Sequence, residues 1–109
     1  MAVITTKEYQ EFTDTTAKYP PEEALNYIFL NLAAEAGEAA GKYAKALRDD
    51  WEFEEFREKV KPELGDVLWH ISQACNELGF TIDELMLENR DKLKLRMMKN
   101  TIHGEGDYR

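Results

Sequence analysis

The chain has 109 residues, 43% of them hydrophobic and 33% charged, with a formal net charge of −8. That balance reads as one globular domain over residues 1–109 and excludes a disordered chain. It also argues against a nucleic-acid duplex or an anionic membrane as the main partner, although a nucleotide stays admissible because bound metal ions reverse the local sign. At the N-terminus, MAVITTKEYQEF has neither the basic start nor the apolar run of a leader. Thr5-x-x-Glu8 is a capping box that opens a first helix to about Ala17, with Tyr9 and Phe12 as its core residues. Tyr19-Pro20-Pro21 breaks that helix, and Pro21 suits the first turn of a second one running from about Glu22 to Leu47. Arg48-Asp49-Asp50 predicts a turn, with an aspartate as N-cap of the next helix. A third segment spans roughly Glu52 to Leu78, and Pro62 inside it must either kink the helix or restart it. Gly79 fits a left-handed cap, and Thr81-x-x-Glu84 is a second capping box starting a helix to about Lys99. The last residues carry Gly104 and Gly106 without periodicity and form a tail. Four antiparallel helices are the economical all-α arrangement. A chain this short buries a modest core, so self-association is a natural supplement.

Two acidic pairs stand out: Glu35-x-x-Glu38 in the second helix and Glu63-x-x-Asp66 in the third. Residues three apart share a helix side, so two adjacent helices would gather four carboxylates. Unit charges ~6 Å apart repel by roughly 2.8 kcal/mol at an effective dielectric of 20. The common remedy is a hard divalent cation with oxygen ligands, Mg²⁺ above all. Acidic i,i+3 pairs are cheap in a chain with 22 acidic residues, and most are solvated faces. These two differ by position. Leu25, Ile28, Phe29, Leu32, Ala36, Ala39, Tyr43 and Leu47 form an apolar stripe, and Glu35 and Glu38 lie on its edge with Asn31 and Lys42. Val60, Leu64, Val67, Leu68, Ile71, Cys75 and Leu78 form a second stripe, with Glu63 and Asp66 at the equivalent edge. Geometry alone leaves a metal site and a solvated acidic face level.

Other residues are less decisive by themselves. Asn89, Lys92 and Arg96 point the same way on the fourth helix. They suit a polyphosphate clamp, yet spacing alone favours an ordinary solvated face. Trp51, beside two aspartates at a helix junction, is the better stacking candidate for a base; Trp69 follows an apolar run and suits the core. Cys75 is alone and on the apolar stripe, a small buried hydrophobe in a reducing compartment. The histidines exclude a di-iron carboxylate site, which needs Glu-x-x-His: Val67 precedes His70 by three and Asn100 precedes His103 by three. No segment approaches the ~18 consecutive apolar residues of a membrane span, so a cytoplasmic protein is expected.

Glu35-Ala36-Gly37-Glu38 followed by Glu63-Leu64-Gly65-Asp66-Val67-Leu68-Trp69 resembles the E-x-x-E…E-x-x-D signature of MazG-like nucleoside triphosphate pyrophosphohydrolases, in the all-α NTP pyrophosphatase superfamily. The similarity extends to Asn89-x-x-Lys92-Leu93-x-x-Arg96 and to Gly104-x-Gly106-Asp107-x-Arg109, covering the chain from about Tyr19 onward. It implies a four-helix, bundle-like, oligomeric MazG fold, a homodimer or homotetramer. It implies Mg²⁺-dependent hydrolysis of (deoxy)nucleoside triphosphates between the α- and β-phosphates, with Mn²⁺ able to substitute. Glu35, Glu38, Glu63 and Asp66 would then hold the metal, and Glu38 is the first choice to take the proton from the attacking water. Lys92 and Arg96 would meet phosphates, which overturns the bland reading of that helix, with Asn89 and Trp51 completing the substrate contacts. Two positions depart from expectation: Pro62 immediately before Glu63, and His70 where an aromatic or aliphatic residue would fit. The rivals are a non-enzymatic helical interaction module, and the same fold acting on dUTP or a phosphoribosyl nucleotide.

Overall fold

A computed structural model describes residues 2–99 as four α-helices. These are α1 (Thr6–Thr16), α2 (Ala24–Arg48), α3 (Phe53–Leu78) and α4 (Ile82–Met98), with a short 3₁₀ turn, Pro21–Glu23, leading into α2. The tail motif from Gly104 to Arg109, and His103 with it, lies outside the described residues.

Each helix end has a local cause. Thr5 and Thr81 cap α1 and α4 through reciprocal boxes: each threonine hydroxyl accepts from the backbone N–H three residues on, and Glu8 and Glu84 reach back to the threonine N–H. Gly79 closes α3 at φ 83°, and Phe80 N–H donates to the Cys75 carbonyl at 3.1 Å. The same closure ends α2 without a glycine. Asp50 takes φ 55°, and Trp51 N–H donates to the Ala46 carbonyl at 3.0 Å. Aspartate tolerates this left-handed conformation better than most residues. The N-cap of α3 is Glu52, not an aspartate, and its side chain makes no capping bond.

α3 passes through Pro62 as one helix, so the proline does not restart it. Proline lacks the N–H that would reach the Glu58 carbonyl. Both residues are exposed, so water can take that carbonyl.

α2 and α3 form the principal contact of the chain, with α1 laid against α3 and α4 packed chiefly on α1. The hairpin is antiparallel. Tyr43 meets Phe56 edge-on near the turn, at 5.4 Å between ring centroids, and further along Lys42 reaches Glu63 at 3.9 Å.

Burial departs from the predicted stripes. Ile28 and Cys75 are buried as expected, but Leu25, Phe29, Tyr43, Leu47, Leu64, Leu68 and Leu78 remain exposed in the single chain. On α1 the apolar face is not the docking face. Phe12 is 58% exposed while Gln10 and Thr13 are buried. The seam between α1 and α3 is polar instead: the Thr13 hydroxyl lies 2.7 Å from that of Ser72 and 2.8 Å from Gln73 Oε1. Gln10 donates to Asn76 Oδ1 and to the Phe80 carbonyl, and accepts from Ile82 N–H at 2.9 Å. That last bond satisfies one of the amides every helix N-terminus leaves over. One glutamine thus ties α1 to the α3–α4 junction.

Candidate active site

The antiparallel hairpin decides where the acidic pairs go. Glu38 lies twelve residues before Asp50 and Glu63 twelve after Trp51; Glu35 and Asp66 lie fifteen away in the same sense. A hairpin turning at 50–51 therefore sets the two pairs opposite each other. Glu35, Glu63 and Asp66 each offer a carboxylate oxygen, and these atoms all lie within 4.8 Å of one another. Glu38 stands outside that trio, with its carboxyl in hydrogen-bonding reach of Glu63. Lys42, one turn beyond Glu38, pairs with Glu63 Oε1.

The electrostatics follow from this crowding. The hydrogen bond with Glu38 holds the Glu63 carboxyl above the ordinary glutamate range; lost hydration and the charges of Glu38 and Asp66 add to it, while Lys42 pulls the other way. Glu35 Oε2 and Glu63 Oε2 are buried and have no hydrogen-bond partner among the described residues. Carboxylate oxygens this close together, two of the residues with an orphaned acceptor and no nitrogen or sulfur in the group, form a donor set suited to a hard cation such as Mg²⁺.

Beside the carboxylates opens a cleft of about 330 Å³ lined by Thr16, Tyr27, Glu35, Asp66, Trp69 and His70. Trp69 Nε1 donates to Thr16 Oγ1 at 2.7 Å, so its ring is held at the α1–α3 seam as a wall of this cleft. His70 is buried, 4.8 Å from the Trp69 ring between centroids and nearly parallel to Tyr27. Neither ring carried a functional role from spacing. Their position follows from α3 itself, where Trp69 and His70 come three and four residues after Asp66, one helical turn.

The remaining candidates lie elsewhere in the chain. Asn89, Lys92 and Arg96 sit on α4; Asn89 is exposed, Lys92 half-buried and Arg96 buried, and none lines this cleft. Trp51 is at the α2–α3 turn, where the Lys59 ammonium sits 4.2 Å from its ring centroid. It borders a different pocket with Tyr43, Leu47, Asp50, Phe53 and Phe56. Thirteen residues of helix and turn separate it from Glu38, roughly 18–20 Å at 1.5 Å per residue. Within one chain, then, Trp51 and the carboxylates are not brought together.

An all-α chain whose central hairpin concentrates carboxylates beside an aromatic cleft has the architecture of an α-helical nucleotide pyrophosphohydrolase. The sequence model of the MazG nucleotide pyrophosphohydrolase domain matches residues 1–100, and the chain belongs to that family. It is also similar to the Gene 37 protein of Mycobacterium phage L5, at 37% identity over 93% of this chain and 96% of the phage protein. No solved structure matches it significantly. No helix among the described residues is long and apolar enough to cross a membrane.

Proposed function

We propose that this protein hydrolyses (deoxy)nucleoside triphosphates between the α- and β-phosphates, releasing a nucleoside monophosphate and pyrophosphate with Mg²⁺ as cofactor. The observation that carries this is the trio of carboxylate oxygens within 4.8 Å, two of its residues with a buried and unpartnered oxygen. Glu35, Glu63 and Asp66 would hold the metal, with Glu38 at the margin. When bound, Mg²⁺ supplies Lewis-acid neutralisation of the charge that builds on phosphate oxygens. Glu38 has the separate role of taking a proton from the attacking water. It lies outside the close trio yet in hydrogen-bonding contact with Glu63, so a proton received there has a second carboxyl to share it. Lys42 keeps this cluster from being wholly anionic and orients Glu63. Lys92 and Arg96 contact the phosphates and Asn89 the sugar or a phosphate, on the strength of their match to the family pattern. Trp51, remote within one chain, would reach a nucleotide only from a neighbouring subunit.

A homodimer or homotetramer belongs to the same proposal. Phe29, Leu30, Leu47, Phe53, Leu64, Met86 and Met97 are all exposed in the single chain, apolar side chains that a second copy would cover. Light scattering at micromolar concentration tests it, and a monomer would refute it. The chemistry is tested by incubating the protein with each deoxynucleoside triphosphate and Mg²⁺ and resolving the products. Pyrophosphate and monophosphate are expected; orthophosphate and diphosphate would sink the reading.

A further inference from the structure

His70 is 6% exposed, borders the cleft, and is the one histidine among the described residues. Its Nδ1 lies 2.7 Å from the Asp66 backbone carbonyl. A carbonyl oxygen only accepts, so Nδ1 carries the proton and, in the neutral ring, Nε2 is left as an acceptor. Nε2 is buried, and no group among the described residues donates to it. An orphaned acceptor of this kind is costly unless something fills it.

The other groups of the cleft say what that something is. The Thr16 hydroxyl donates to the Thr13 carbonyl at 2.8 Å and accepts from Trp69 Nε1, and His70 Nδ1–H is committed to Asp66. The donors of these three side chains are spent on the protein. The acceptors left over in the cleft are His70 Nε2, the Thr16 oxygen and the neighbouring carboxylates of Glu35 and Asp66, with the Tyr27 hydroxyl as a further donor of the lining. His70 comes one helical turn after Asp66, about 6 Å along the axis. That is the order of the reach of a sugar between a phosphate held at the carboxylates and its base. The Tyr27 ring is within 17° of the imidazole plane. A base bonded edge-on to Nε2 therefore lies nearly parallel to the Tyr27 face, as stacking requires.

We propose that His70 reads the nucleobase: Nε2 accepts a hydrogen bond from an exocyclic amine or its adjoining ring N–H, so the site favours cytosine, adenine or guanine over thymine and uracil. In thymine and uracil the single N3–H is flanked by two carbonyl oxygens, to which the Glu35 and Asp66 carboxylates and the committed Thr16 hydroxyl cannot donate. This rests on the pyrophosphohydrolase reading for its substrate, and the test separates the two. Pyrophosphate release at pH 8 with Mg²⁺ is measured for dCTP, dATP, dGTP, dTTP and dUTP, with wild type and His70→Phe. Wild type should favour at least one amino-bearing base over both dTTP and dUTP by about tenfold in kcat/KM. His70→Phe should bring that ratio within about twofold, mainly through KM. His70→Gln, which restores an acceptor, should recover part of it. A wild type that prefers dTTP or dUTP, or an unchanged ratio in His70→Phe, overturns the proposal. Independently of hydrolysis and of any variant, ¹⁵N NMR of the His70 ring tracks Nε2 during titration with the α,β-imido analogues of dCTP, dATP, dGTP and dTTP. An Nε2 shift with one of the amino-bearing analogues, larger than with that of dTTP, is expected. No binding, or an unmoved Nε2 with all four, refutes the role of His70. Base-dependent Nε2 shifts without pyrophosphate release in the first assay would refute the reaction and leave the base-reading role standing.

Discussion

Replacing Glu35 by glutamine separates a metal site from an ornamental acidic face. In the metal-free protein the Glu35 carboxylate sits with its ligand oxygen within 4.8 Å of Asp66 and Glu63. Unit charges at that distance repel by roughly 3.5 kcal/mol at an effective dielectric of 20 and by roughly 0.9 kcal/mol in water. Asp66 is exposed, so the lower end applies to its pairing with Glu35, and Glu35→Gln should stabilise the metal-free protein by about 1 kcal/mol. At about 2.1 cal/mol/K of unfolding entropy per residue, 109 residues convert this to a Tm rise of about 4 °C. Mg²⁺ at ten times its Kd should stabilise the wild type by about 1.4 kcal/mol, or about 6 °C on the same conversion. The variant, stripped of a ligand, should gain little. The two proteins therefore exchange order between EDTA and Mg²⁺. Differential scanning fluorimetry with both additives reads this directly. Equal Mg²⁺ increments in the two proteins, or a metal-free variant less stable than wild type, would refute the reasoning.

Four further outcomes are expected from the same geometry. Glu38→Gln should lower kcat by about 10²- to 10⁴-fold as general-base loss does, while most of the Mg²⁺-induced Tm shift survives, a pairing that steady-state kinetics and fluorimetry check together. Because the Glu63 carboxyl is raised, the favourable contribution of its proton is present below the ordinary glutamate range and lost as pH climbs through the raised folded value. In EDTA, wild type should accordingly fall behind Glu63→Gln as pH rises through that window and meet it again at lower pH, seen in Tm against pH. Gln10→Ala strands Ile82 N–H, the Phe80 carbonyl and Asn76, and should cost about 2 kcal/mol, near 9 °C in Tm by thermal unfolding. Pro62→Ala restores the helical N–H and should stabilise by about 2 kcal/mol in denaturant titration, the roughly 3 kcal/mol helix penalty less up to about 1 for the looser unfolded chain.

The helices were legible because their ends are chemical: two threonine–glutamate boxes, a glycine cap and a proline each act within four residues. The clustering of the carboxylates was legible for a different reason. Glu38 and Glu63 lie equally far from one turn, as do Glu35 and Asp66, so a hairpin was enough to set the two pairs opposite each other. What escaped depends on partners distant in sequence. Gln10 and Thr13 look like solvent residues until Ser72, Gln73 and Asn76 are placed opposite, and Phe12 looks like core until they are. His70 passed for an irregular substitution, because its acceptor becomes meaningful only once Nδ1 is seen bonded to Asp66. The predicted apolar stripes are real as patterns on the helices, yet one chain buries only part of each.

That last point bears on how the site can exist at all. The large side chains buried most completely here include Gln73 and Thr13 beside Ile28, so hydrogen bonds hold α1 where another bundle would use leucines. A polar seam is satisfied in one geometry and costly in any other, so it fixes α1 against α3 more sharply than an oily contact would. Thr16, and through it Trp69, are thereby held beside Asp66. The hairpin meanwhile carries mutually repelling carboxylates on a chain whose apolar surface is largely uncovered. Metal bound to the folded form would then act as folding energy, since ions that bind only the assembled site stabilise it by mass action. Stability and site assembly should rise together as Mg²⁺ is added, with the largest gain at the α2–α3 hairpin. Hydrogen exchange across Glu35–Glu38 and Glu63–Asp66 should slow on Mg²⁺ addition more than exchange at the Gln10–Ile82 junction, which is held by bonds that need no metal.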